Sequence, residues 1–256
     1  MRICSLTVLV VGVFVASSGA QEVLKYDFND FDVGPIEGQR EWNIYDMVKD
    51  SSALSIMDEL GTSEASGDKA LVIQASPQPI RCVTGEPTRW LPGRTLTVEF
   101  DFKVAVDPGE VAMSKPSLTV MVGNALLSPK ARFEIGIDAM PNGDWLFRGA
   151  MPDPAEKKIY SENFLFRSDQ EVSISEWHQF KLVIKKLSEP DTFETSAEIR
   201  NAKTGAVLSE LSFTSADKGK VSKGVWGSAR AHVGFNAPKE MLGLVCVDNL
   251  VITSTR

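Results

Sequence analysis

The clearest signal along the chain is strict alternation. Thr95 to Val104 reads TLTVEFDFKV, with Leu96, Val98, Phe100, Phe102 and Val104 on one face and Thr97, Glu99, Asp101 and Lys103 on the other. A period of two over that length predicts a strand half buried against a core. Arg132 to Asp138 repeats the pattern with Phe133, Ile135 and Ile137 inward, and Pro141-Asn142-Gly143-Asp144 follows. Asn-Gly favours a type I′ turn, which needs positive φ at both central residues, so a return strand is predicted from Trp145 to Arg148. His178 to Lys186 alternates with Phe180, Leu182 and Ile184 inward. Ser196 to Leu211 reads as a hairpin turning near Lys203-Thr204-Gly205, and Arg230 to Phe235 and Leu244 to Ile252 complete the series. Asp46 to Leu60 invites a short helix, on a weak pattern. Many strands separated by turn residues predict an all-β fold, a sandwich or a barrel.

The first twenty residues stand apart from this pattern. Met1-Arg2 is a short basic start, Leu6 to Val15 is apolar apart from Thr7 and Gly12, and Ala16 to Ala20 are all small. That order is the signature of a secretory signal peptide cleaved before Gln21. The apolar run is too short for a transmembrane helix, and no other stretch approaches the required length of about 20 residues. Residues 21–256 are then expected to form one domain in a secreted, periplasmic or cell-surface protein. With 43% hydrophobic and 24% charged residues the chain has material for a core. Net charge is −7, and −8 once Arg2 is removed. This argues against non-specific binding to nucleic acid or anionic lipid, although a local basic patch is still able to hold an acidic ligand. Cys82 and Cys246 both survive cleavage, and an even count in an oxidising compartment predicts one disulfide, two separate buried thiols being the alternative.

Three segments carry a family resemblance. They are Tyr26-Asp27-Phe28-Asn29-Asp30-Phe31-Asp32-Val33-Gly34, with Gly38-Gln39 and Trp42 beyond it, then Glu176-Trp177-His178-Gln179-Phe180-Lys181-Leu182, and Val247-Asp248-Asn249-Leu250-Val251-Ile252. Together they resemble secreted bacterial domains of the concanavalin A-like lectin/glucanase superfamily, laminin G-like members included. The resemblance implies an antiparallel jelly-roll β-sandwich whose first and last strands are neighbours. It leaves activity open, because this fold hosts lectins, hydrolases, lyases and structural modules. Many relatives carry a structural calcium, and with paired termini Asp27, Asp30 and Asp248 become its candidate ligands, since Ca²⁺ takes carboxylate and carbonyl oxygen. Plain turn and capping aspartates are the alternative.

No complete catalytic signature is present. Glu99-Phe100-Asp101 follows the start of the glucanase pattern Glu-x-Asp-x-x-Glu, but its last position is Val104, and a retaining hydrolase needs both carboxylates. A lyase needs a base and a cation. Of the two histidines, His232 shares a strand face with Arg230, with Tyr160 as a distant helper, and these three form the weak catalytic set. No Gly-x-Ser-x-Gly, P-loop, Cys-x-x-Cys or His-Glu-x-x-His occurs. Binding without cleavage needs only exposed aromatics and orienting polar groups, for which Trp90, Trp226, Arg94 and Arg230 are the candidates. The expected function is therefore a non-catalytic module for a polysaccharide or cell-surface glycan. The alternatives are a polysaccharide-active enzyme, a lyase before a hydrolase, or a structural envelope protein.

Overall fold

The computed structural model describes residues 21–46, 51–63, 67–77, 80–105, 117–124, 132–139, 145–153, 158–166, 176–190, 192–214, 227–239, 241 and 243–256. The expected signal segment, the Asn142-Gly143 turn and Trp226 lie outside the described residues. In chain order the first strands are β1 (Glu22–Tyr26), β2 (Gly34–Pro35), β3 (Asn43–Asp46), β4 (Leu54–Met57), β5 (Ala70–Gln74), β6 (Ile80–Val83) and β7 (Thr88–Arg89). Next come β8 (Thr95–Ala105), β9 (Ser117–Gly123), β10 (Arg132–Ala139), β11 (Trp145–Asp153) and β12 (Lys158–Phe166). The last are β13 (His178–Lys186), β14 (Phe193–Asn201), β15 (Val207–Thr214), β16 (Arg230–Asn236) and β17 (Leu244–Thr255).

These strands form two antiparallel sheets. The first runs β15-β14-β13-β8-β17-β5-β4-β2, with β1 also paired to β17. The second runs β12-β11-β10-β9-β16-β6-β3, with β7 paired to β16. The first and last strands meet as the resemblance implies, in a register from Glu22 opposite Ser254 to Tyr26 opposite Leu250. Alternation explains the packing: every second residue of β8 is buried, and the same period governs β13 and β14. Those inward side chains meet inward residues of the second sheet, as where the Phe100 and Phe235 rings cross edge to face at 5.3 Å. One apolar core thus fills the space between the sheets, as in any aligned sandwich.

Two elements depart from the sequence expectation. Within Asp46 to Leu60, one 3-10 turn (Ser51–Ala53) leads straight into β4, and no α-helix occurs among the described residues of that interval. Leu54 and Ile56 are fully buried while pairing with β5, so sheet formation outweighs a weak local helical tendency. The disulfide is likewise not formed. Cys82 on β6 faces the core between the sheets, whereas Cys246 on β17 packs with Ala70 and Val72 in a separate cluster. Both remain buried thiols. Packed sheets lie about 10 Å apart, and a disulfide needs Cα atoms within about 7 Å, so side chains turned into different clusters do not meet.

Candidate functional site

The outward positions of the second sheet carry its chemistry. Ala231, Val233 and Phe235 of β16 enter the core, as do Leu118, Val120 and Val122 of β9 and Phe133, Ile135 and Ile137 of β10. Period two then turns Arg230, His232, Gly234 and Asn236 outward, with Thr119, Met121 and Gly123 beside them, and Arg132, Glu134 and Gly136 beyond. Register aligns these positions in rows. His232 stands opposite Gly123, which stands opposite Arg132. Gly234, Met121 and Glu134 form the next row, and Asn236, Thr119 and Gly136 the one after. Each row therefore contains a glycine, and all three glycines are buried.

Arg132 and Glu134 form an ion pair on this face, only 11% and 19% exposed. Arg81 stands nearby on β6, its guanidinium 6.0 Å from the centre of the Tyr45 ring. Burial, and then repulsion from Arg132, push the Arg81 pKa down, so two cations compete for the one carboxylate of Glu134. Arg81 Nε is buried and has no hydrogen-bond partner among the described residues. His232 Nδ1 lies 2.6 Å from the carbonyl of Thr84. A carbonyl only accepts, so the proton sits on Nδ1, and Nε2 is the acceptor that remains.

The residues singled out in the sequence are distributed unevenly over the structure. Arg230 is exposed at the start of β16, opposite Arg89, and shares its face with His232. Tyr160 lies on β12, separated from β16 by β11, β10 and β9. Four strand spacings amount to about 19 Å, so the proposed lyase trio is not assembled. Trp90 is fully buried between Phe133 and Phe193 and presents no face to a sugar. Arg94 is buried as well. Trp90 packs inward because its ring fills the core beneath the sheet end, where it also covers the Lys186 ammonium at 4.8 Å.

The expected calcium ligands each have a protein partner. Asp27 accepts from the Asn29 amide, Asp30 pairs with Arg40 at 2.7 Å, and Asp248 accepts from the amides of Thr62 and Asn249. Among the described residues no group of three candidate ligands converges. These aspartates act as turn caps and ion-pair partners. On the glucanase-like strand, Glu99 pairs with Lys181 at 3.0 Å, Asp101 accepts from Asn249 at 2.9 Å, and Val104 points into the core. Sequence reasoning passed over Arg81, Arg132 and Glu134. The signal for the last two was present, as opposite charges two apart on a strand whose other face was plainly apolar. Arg81 gave no such signal, because β6 is too short to show a period.

No protein-family profile matches the sequence, and no curated protein matches it. Solved structures do. The chain superposes on an endo-1,3-β-glucanase from Streptomyces sioyaensis with a TM-score of 0.54 at 13% identity, covering 93% of this chain and 97% of that one. It superposes on a tailspike protein of an Escherichia coli bacteriophage with a TM-score of 0.51 at 12% identity, covering 83% of this chain and 25% of the tailspike. A basic winged bean lectin gives 0.49 at 7% identity, over 92% and 99% of the two chains. Likeness at these identities is likeness of fold: the chain has a concanavalin A-like jelly-roll fold.

Proposed function

We propose that the protein is an exported, non-catalytic module that binds an acidic polysaccharide on the outer face of its second sheet. The observation that carries the reading is the crowding of two guanidinium groups, Arg81 and Arg132, around the Glu134 carboxylate, on a face where the other described acid is Asp138. A guanidinium presents a rigid fork to a carboxylate or sulfate. Arg230 and His232 extend the same face along β16. Binding is favoured over cleavage because Tyr160 is remote from His232, and Glu134, an acid on the same face, is paired with Arg132. Export rests on the segment before Gln21.

The test is retention of the mature chain on immobilised alginate, polygalacturonate and a neutral glucan. Acidic gels retain the protein, retention falls as salt rises, and Arg132→Ala or Arg81→Ala weakens it about tenfold, equivalent to about 1.4 kcal/mol. Equal retention on the neutral gel alone, or no effect of either substitution, overturns the reading. Release of unsaturated uronate that disappears in His232→Ala replaces it with a lyase. N-terminal sequencing of exported protein reads Gln21 if cleavage occurs as expected.

A further inference from the structure

The opposite face of the sandwich holds a recess of about 750 Å³ that the reading above does not use. Its floor is the outward side of β8, at Asp101 and Lys103. One wall is the stretch at Thr62, and the other joins Glu176, Trp177 and Gln179 to the turn at Lys203. Both walls are tied in place. Asp248, 1% exposed, accepts the Thr62 amide at 3.0 Å. Asn249 sits at the bulge of β17 with φ of 52°, and its side-chain amide donates to Asp101 at 2.9 Å and to Thr62 Oγ1 at 3.3 Å. A non-glycine residue in the left-handed region costs energy, and here that conformation places one amide between floor and wall. Across the recess Asn201 donates to Glu176 at 3.4 Å and accepts the amides of Lys203 and Thr204, both at 2.9 Å. The Ala202 amide donates to the Trp177 carbonyl at 3.2 Å.

Trp177 gives the recess an apolar side. Its indole packs on the cluster of Ala70, Val72 and Cys246 and is partly exposed. The charged groups balance, with Asp101 and Glu176 against Lys103 and Lys203. On the second-sheet face the described arginines Arg81, Arg132 and Arg230 stand against Glu134 and Asp138. A fixed recess of this size with an aromatic wall, two carboxylates, an amide and a threonine hydroxyl matches an uncharged ligand rich in hydroxyl groups.

We propose that this recess is a second binding site, specific for a neutral sugar unit, so that the module holds two glycan segments on opposite faces at once. In the bound state the Asp101 and Glu176 carboxylates accept from sugar hydroxyls, the Gln179 amide both donates and accepts, and Trp177 packs on the less polar ring face. Simultaneous holding of two segments rests on the acidic-polysaccharide reading, whereas the recess site itself does not, since its residues and its ligand chemistry are different.

Calorimetric titration of the mature protein with laminarihexaose, cellohexaose and mannohexaose tests it. At least one hexaose binds with Kd below about 1 mM. Gln179→Ala and Glu176→Ala, both exposed positions, each weaken binding about tenfold or more, whereas Arg132→Ala leaves it unchanged. No heat from any hexaose overturns the proposal, as does binding that survives both recess substitutions. Loss of hexaose binding in Arg132→Ala alone assigns the sugar to the other face and also overturns it. Acidic-gel retention in the Gln179→Ala and Glu176→Ala variants reports separately on the first reading.

Discussion

Asp101 and Asp248 stand directly opposite one another on β8 and β17, yet each carboxylate has its own donors: the Asn249 side chain for Asp101, and two backbone amides for Asp248. Burial pushes both pKa values above the usual carboxylate range, against the pull of those hydrogen bonds. From about pH 4 up to the raised values, the folded chain keeps protons that the unfolded chain has released. These groups therefore favour folding below that window and lose the contribution as pH rises through it. Asp101→Asn keeps an acceptor for Asn249 without the titration. Denaturant unfolding followed upward from about pH 4 is expected to show a shallower fall in stability for this variant than for wild type. Identical slopes would refute the assignment.

Lys186 is fully buried, donating from Nζ to the Trp90 carbonyl at 3.1 Å and the Ser228 carbonyl at 2.7 Å. Lys186→Met keeps the bulk and strands both acceptors, so a loss of about 2–4 kcal/mol is expected in chemical unfolding. Burial also pulls the Lys186 pKa down to about 8 from 10.5. Between those values the unfolded chain holds the proton that the folded chain has released. Stability from this group thus rises with pH across the window, a rise that Lys186→Met abolishes.

Trp90→Ala is expected to act on stability. Removing a fully buried indole from between Phe133 and Phe193 costs about 3–5 kcal/mol. Glycan retention measured on the fraction that remains folded is unchanged. A variant of wild-type stability that fails to bind sugar would place the ring on the surface.

Thiol chemistry distinguishes the two cysteines from a disulfide. Under denaturing, non-reducing conditions two thiols titrate per mature chain. In the folded protein Cys82 does not react at neutral pH, because burial pushes its pKa up to about 12 and only the thiolate attacks. Titration of no thiol at all in denaturant is the contrary result.

Chelation supplies a further check. With Asp27, Asp30 and Asp248 each committed to a backbone amide or to Arg40, EDTA leaves the melting temperature unchanged and added Ca²⁺ does not raise it. A chelator-dependent drop restored by calcium contradicts these assignments.

Strands with one buried face were legible from sequence. His178 to Lys186 coincides with β13, and Thr95 to Val104 with all but the last residue of β8, because alternation is a direct imprint of a half-buried sheet. β5 was not, since Ala70 to Ile73 are buried on both faces and show no period. The site was less legible still. Trp90 lies in a loop-like sequence, and nothing local tells that its ring turns inward. Asp248 sits next to Asn249 in the sequence, but the Thr62 amide that fixes its carboxylate lies 186 residues away. Alternation records which face a residue takes. It carries no information about which distant strand supplies the neighbour, and the arginine pair and the recess are both made of such neighbours.

The position of β17 bears on how the chain reaches this state. One side of β17 pairs with β8, and the other with β5 along Leu244–Val247 and with β1 along Leu250–Ser254. Before β17 is in place, the first sheet consists of β15-β14-β13-β8 and β5-β4-β2, with β1 unattached, and each half shows an open backbone edge. Open edges recruit strands from other molecules. The aggregation-prone interval of biogenesis therefore lasts until Leu244–Thr255 have left the ribosome, and a chain that lacks this strand stays in it permanently.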